Sequence, residues 1–250
     1  MALNLVMLGP PGAGKGTQAE RFAREHGIPK ISTGDILREA VHSGSELGEK
    51  VKAVMERGEL VGDDLIIGIV RERLSRPDAM AGFVLDGFPR NAAQARALDE
   101  ITATRGPVIC IEIQVPDEEL VRRVRGRRVC DDCGANADAF EHQPGALPDL
   151  CQNTERCRSI GPRWVARSDD SVSVVRERLK VYWRDTRPMI EYYSSRPTFR
   201  SIDGLQTPEQ VREALVSAAA SALGMPTAQL QSMAKKLDGG AVPPREARQG

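Results

Sequence analysis

Aromatic side chains are scarce in this 250-residue chain: five Phe, three Tyr and two Trp, or 4%, so aliphatic side chains must fill most of any core. A surplus of charge of either sign is missing as well. The 35 Lys plus Arg balance 35 Asp plus Glu, and nothing at whole-chain level points to nucleic acid or a membrane surface as partner. Any phosphate site must therefore come from local clusters. No apolar run is long enough to span a bilayer, and the N-terminus lacks both a cationic start and a small-residue cleavage site, so the expected compartment is the cytoplasm. Cysteine is sparse and odd in number: five, four of them between positions 130 and 157, with Cys110 alone in a strand-like apolar run. In a cytosolic chain such clustering favours a metal over disulfides, and Cys110 reads as a small buried hydrophobe.

Hydrophobic content of 40% with 28% charged residues is that of an ordinary globule, and the length suggests one main core plus a subdomain. Short apolar runs recur at Leu3 to Leu8, Phe83 to Leu85, Val108 to Ile113 and Phe199 to Ile202. Between them the spacing predicts helices over Gly14 to Glu25, Asp63 to Leu74, Asn91 to Thr102, Asp117 to Arg125, Ser171 to Tyr193 and Pro208 to Leu223. That alternation argues for a parallel sheet with helices on both faces. Two stretches interrupt it: 33 to 61, which reads as short helices, and 128 to 168, which holds the clustered cysteines. From Gly224 onward the chain turns to Pro, Gly, Gln and mixed charge, a composition that predicts a disordered tail.

Directly after the first apolar run stands GPPGAGKGT, positions 9 to 17. Gly9, Gly12, Gly14 and Gly16 let backbone N–H groups converge on phosphate oxygens, Lys15 adds a positive charge, and the following helix presents its N-terminus to the anion. The general pattern G-x-x-x-x-G-K-[ST] is altered, since Gly16 follows the lysine and the hydroxyl comes one residue later at Thr17. That spacing, with Pro10-Pro11 inside the loop, looks like the version found in nucleoside monophosphate kinases.

Three further stretches sharpen this: STGDILR at 32 to 38, DGFPRNAAQ at 86 to 94, and GRR at 126 to 128 ahead of the cysteine-bearing insertion. With the glycine loop and RSDD…VRERL at 167 to 179, the chain from 1 to 223 resembles the adenylate kinase family in its long-lid form. The resemblance implies a P-loop NTPase-like three-layer α/β sandwich with a central parallel sheet of five strands. It also implies a core of 1–31, 62–127 and 166–223, an AMP-binding arm at 32–61 and a lid at 128–165, leaving 224–250 as the tail. The implied activity is reversible transfer of the terminal phosphoryl group from MgATP to AMP, giving two ADP, by a monomer. A GTP-using phosphotransferase and a binding module without catalysis are the alternatives.

Such a site must bring two polyanions together, and arginine suits it because its planar fork grips phosphate at two points and stays charged. By resemblance, Gly12, Ala13, Gly14, Lys15, Gly16 and Thr17 hold ATP, with Arg123, Arg127 and Gln206 around them. Thr33, Arg38, Glu59, Leu60, Val61, Gly87, Phe88, Pro89, Arg90 and Gln94 would form the AMP site, with Gln94 on the adenine edge. Arg167 and Arg178 would clamp the transferring group. Separated by eleven residues, about three turns, they share a helix face if the helix is already formed at 167; otherwise Arg167 reaches the same side from the cap. Asp86 would face Mg²⁺ through water and Asp169 would order the arginines. A phosphate acceptor is already ionised, so His26, His42 and His142 receive no role.

Many long-lid relatives carry C-x2-C and, later, C-x2-C or a variant, binding structural Zn²⁺, and Cys130 and Cys133 have the first spacing. The second pair departs from it, with Thr154 following Cys151 and Cys157 lying further on. Either Cys157 completes a site of Cys130, Cys133, Cys151 and Cys157, or the lid is held by hydrogen bonding with Thr154. At Ala137 the family usually has an aromatic residue, which bears on how the lid meets the ATP ribose.

Overall fold

The structure, a computed structural model, describes residues 2–132, 136–138, 157, 159, 161, 163–167 and 170–237. In chain order the first half forms β1 (Leu3–Leu8), α1 (Lys15–Glu25), β2 (Lys30–Ser32), α2 (Thr33–His42), α3 (Glu46–Glu56), α4 (Asp63–Leu74), β3 (Gly82–Asp86) and α5 (Ala92–Thr102). Then come β4 (Val108–Gln114), α6 (Asp117–Gly126), β5 (Arg127–Cys130), β6 (Asn136–Asp138), β7 (Trp164–Val165) and α7 (Val172–Val181). A π-helical segment, Tyr182–Thr186, leads into α8 (Arg187–Ser194), β8 (Phe199–Asp203), α9 (Pro208–Ala222) and α10 (Thr227–Leu237).

The main sheet has the order β2-β3-β1-β4-β8, with every neighbouring pair parallel. Both faces are covered, which is why β1 is buried along its whole length and reads as a continuous apolar run. Alternate residues serve opposite layers. Leu5 and Met7 pack with Phe22 of α1, Leu120 of α6 and Leu215 of α9, while Val6 and Leu8 pack with Val70 of α4, Leu98 of α5 and Tyr193 of α8. Cys110 lies fully buried in the second layer, where burial pushes its thiol well above the ordinary range, as a small hydrophobe there requires. The fifth strand, β2, has no apolar run to announce it, being three residues with a lysine first.

The two irregular stretches differ in kind. In the first, α2 and α3 cross so closely that a Cβ on Gly48 would stand 2.0 Å from the Ala40 carbonyl oxygen, so only glycine fits the crossing. The second contributes an antiparallel sheet, β6-β5-β7, that begins where α6 ends. Among the described residues no helix is long and apolar enough to cross a membrane.

Two expectations are corrected. The single helix predicted from Ser171 to Tyr193 is broken in register by the π-helical segment, because Pro188 has no N–H to donate to Arg184 and its ring crowds that carbonyl. The tail predicted to be disordered from Gly224 onward instead forms α10, docked on α9 by the fully buried Leu230 with Met225 packed at its start. Composition averaged over the tail conceals that anchor. Residues 238–250 lie outside the described residues. Leu230→Ala should cost about 2–4 kcal/mol of stability, read as a lower urea midpoint at unchanged slope. A loss under about 0.5 kcal/mol would mean that the helix is not docked.

Candidate active site

The glycine loop leaves the carboxyl end of the central strand β1, where ligands of such sheets gather. Gly9 has φ +135, and a Cβ there would lie 2.5 Å from the Ile113 carbonyl oxygen, so the chain passes β4 at a distance only glycine permits. Helix α1 is preceded by Gly14, which offers no side-chain acceptor, whereas Ser32, Ser45, Asn91, Ser171 and Thr207 cap other helices. Its first-turn N–H groups are thus left for an anion. Lys15 Nζ donates to the carbonyls of Gly9 and Pro10, at 2.8 and 2.9 Å. Burial lowers its pKa to about 8, Asp86 opposing the change and the Arg90, Arg127 and Arg178 charges adding to it.

A cavity of about 450 Å³ opens over the loop, lined by Gly12 through Thr17, with Asp86 at the end of β3. Its walls hold Lys15, Arg21, Lys30, Arg38, Arg90, Arg123, Arg127, Arg167 and Arg178 against two carboxylates, Asp35 and Asp86. A chain with no net charge thus concentrates positive potential at one place, as a site for polyanions requires. Arg123 is fixed by hydrogen bonds from Nε to Glu119, at 2.8 Å, and from Nη2 to the Gly204 carbonyl, at 2.9 Å. Gln206 lines the same end.

A smaller cavity of about 50 Å³ adjoins it, lined by Thr33, Glu59, Leu60, Val61 and Gln94 among others, with Arg38, Arg90 and Arg178 common to both. Gln94 is buried and oriented: its Oε1 accepts from the Arg90 N–H at 2.8 Å and its Nε2 donates to Asp63 at 2.8 Å. One N–H and one lone pair of the amide remain. Gly87 lines both cavities and accepts from the Thr33 hydroxyl at 2.9 Å; Pro89 lines the larger one. Phe88 departs from expectation: its side chain is 1% exposed, packs in the second core layer and lines neither cavity.

Arginines placed by the resemblance have partners that sequence reasoning missed. Arg127 forks onto Asp170, with Nε at 2.7 Å from Oδ2 and Nη2 on Oδ1, and Arg178 lies 3.9 Å from the same carboxylate. Asp169, expected to order these arginines, lies outside the described residues. Arg167 lines the large cavity from ahead of α7, whose cap is Ser171, so the reading that puts 167 and 178 on one helix face does not hold. Arg38 donates to Asp35 at 2.6 Å, and Lys30 lies 3.4 Å from it. Burial alone would raise the Asp35 pKa; Lys30, Arg38 and Arg167 overcome that and hold it far below the usual carboxylate range. The Asp35 pair was visible as an i, i+3 spacing within STGDILR.

Cys130, at the end of β5, and Cys157 are buried with their sulfurs 3.6 Å apart, and Asp132 offers an oxygen within 4.8 Å of both. Cys133, Cys151 and Thr154 lie outside the described residues, as does His142.

A parallel sheet, a glycine loop opening a helix without a side-chain cap, and cations converging from distant segments define a phosphate-binding-loop nucleotide protein of the kinase class. The family model for adenylate kinase matches residues 7–198. A protein named adenylate kinase from Archaeoglobus fulgidus is 48% identical over 211 residues, covering 84% of this chain and 94% of the relative. Namesakes from Nitrosococcus oceani and Kosmotoga olearia are 46% and 45% identical, over 81% and 84% of this chain and 91% and 96% of their own lengths. The chain belongs to the adenylate kinase family.

Because an anion beside Lys15 favours its charged form, nucleotide binding near pH 8 should take up a proton, and affinity should fall as pH rises through the unbound value of about 8. Calorimetry in buffers of different ionisation enthalpy measures the uptake. A flat affinity from pH 7 to pH 9, with no proton exchange, would contradict it.

Proposed function

We propose that the chain catalyses reversible, Mg²⁺-dependent transfer of the terminal phosphoryl group of ATP to AMP, yielding two ADP. The observation that carries this reading is the pair of adjoining cavities sharing Arg38, Arg90 and Arg178, which gives two phosphate-bearing ligands a common cationic wall. On the donor side Gly12 through Thr17 cradle the ATP phosphates, with Lys15, Arg123, Arg127 and Gln206 around them. On the acceptor side Arg38 and Arg90 take the AMP phosphate, while Thr33, Glu59, Leu60, Val61, Gly87, Pro89 and Gln94 surround the base. Arg167 and Arg178 neutralise the group in transit. Residues 32–61 then act as the AMP arm and 128–165 as a lid over ATP. Magnesium on the ATP phosphates, with Asp86 facing its water shell, supplies further charge neutralisation.

Catalysis here consists of positioning, charge stabilisation and exclusion of water, with no protein base needed. The cationic clamps crowd one cavity at a cost in mutual repulsion, which a module that only bound nucleotide would have less reason to carry. We read the enzyme as a cytoplasmic monomer, a compartment that suits its unpaired Cys110.

We also propose a structural Zn²⁺ in the lid. Two thiolates sharing a tetrahedral ion at about 2.3 Å stand roughly 3.8 Å apart, close to the 3.6 Å between Cys130 and Cys157. This supports Cys157 as a ligand, with Cys133 and Cys151 completing the set.

Purified protein should form ADP rapidly from MgATP with AMP, and far more slowly with UMP, CMP or GMP as acceptor or GTP as donor. Lys15→Met should lower kcat by about 100-fold or more with the fold intact by circular dichroism; unchanged turnover would sink that assignment. Metal analysis should find one zinc per chain, and Cys130→Ser should lose it and lower the melting temperature. Metal-free protein that melts as the variant does would dispose of the zinc reading.

A further inference from the structure

Arg90 is held by both of its main-chain groups. Its N–H donates to Gln94 Oε1 at 2.8 Å, and its carbonyl accepts from the Thr186 hydroxyl at 2.9 Å, across 96 residues of sequence. Threonine within a helix commonly turns its hydroxyl back onto a carbonyl of the preceding turn. Thr186 instead crosses to another segment, and it does so at the cavity wall while only 8% exposed.

The backbone explains how it gets there. Pro188 cannot donate to the Arg184 carbonyl, and the Arg187 N–H bonds to the Tyr182 carbonyl, an i→i−5 closure. In an α-helix every four residues drift by about 40° around the axis. A stretch closed i→i−5 turns less per residue, and Arg178, Tyr182 and Thr186, spaced by four, all line the large cavity. The next residue pins the other side, since Arg187 Nη1 donates to the buried Glu112 of β4 at 2.7 Å. The helix bearing Arg178 is thereby fastened to the sheet by one residue and to Arg90 by its neighbour.

We propose that Thr186 is a positioning residue: its hydroxyl locks the main chain at Arg90 to the helix carrying Arg178, so that two guanidiniums facing both cavities are set as one rigid unit. The proposal rests on the functional reading above for the identity of the ligand, AMP. The bland account, a hydroxyl satisfied for packing alone, predicts a cost in stability that is indifferent to Arg90.

A double-mutant cycle separates the two, with AMP affinity by calorimetry and kcat/KM for AMP as readouts. Thr186→Val should weaken AMP binding about tenfold, and Thr186→Ser, which keeps the hydroxyl, should restore it to within about threefold. In an Arg90→Ala background, Thr186→Val should change AMP affinity by less than about twofold. The same tenfold loss in that background, or a valine variant indistinguishable from wild type, overturns the proposal. Should the valine variant not fold, Thr186→Ala removes the same hydroxyl and is read in the same way. Wild-type protein that binds AMP without forming ADP would overturn the functional reading, while the affinity cycle still decides this one. Wild-type protein that does not bind AMP overturns both.

Discussion

Repulsion among cations is the constraint on which the rest of the structure depends. Like charges about 6 Å apart repel by roughly 3 kcal/mol at an effective dielectric of about 20, and nine cationic side chains line one cavity here. The chain meets this with internal anions. Asp170 engages Arg127 and Arg178, and Asp35 engages Lys30 and Arg38. Among the described residues Lys15 has only main-chain carbonyls within hydrogen-bonding distance, and burial first, with the Arg90, Arg127 and Arg178 charges adding to it, lowers its pKa to about 8. Carboxylates thus occupy arginines that, on the proposed function, phosphates would engage, so the arrangement of the site is coupled to what occupies it.

The cations come from many parts of the chain, which makes the site a property of the whole core. Lys15 opens α1, Arg38 lies on α2, Arg90 follows β3, Arg127 begins β5 and Arg178 lies on α7. Their relative placement rests on the two apolar layers around the sheet, and several of the few aromatics are committed there. Phe22, Phe83, Phe88 and Tyr193 are among the largest fully buried side chains. Among the described residues Tyr182 is the aromatic residue lining the large cavity, and the small one has none. Under the proposed function, base recognition then rests on aliphatic walls such as Leu60 and Val61 and on oriented amides such as Gln94.

Legibility of the sequence varied with how local the determining physics is. β1, the glycine loop and α4 were readable because strand period, positive φ and helix caps act within a few residues, and Asp63–Leu74 matches the predicted span. The strand β2 escaped because its three residues owe their conformation to pairing with β3. The tail helix escaped because a single buried leucine decides it. The π-helical segment was marked by Pro188 within a helical pattern, but whether a proline ends, kinks or widens a helix depends on what the freed carbonyl meets in the fold. Within the site the cations were legible and their partners were not. That Arg127 meets Asp170 depends on side-chain direction just ahead of α7, and that is settled by tertiary contact.

The glycine after Lys15 shows how one spacing can serve several of these demands. A Cβ on Gly16 would stand 3.2 Å from Asp86 Oδ2, so a larger residue would fill the gap between the loop and the strand end. With glycine, Asp86 acts on Lys15 through space without capturing it, and the ammonium stays on the carbonyls of Gly9 and Pro10. A carboxylate in direct contact would have raised the lysine pKa and tied up the charge meant for an incoming anion. The same gap leaves the room that phosphate oxygens and a hydrated cation need under the proposed function. The shift of the loop hydroxyl to Thr17 follows from giving position 16 to glycine, so the departure from the general pattern is the local cost of keeping lysine and aspartate close but separate.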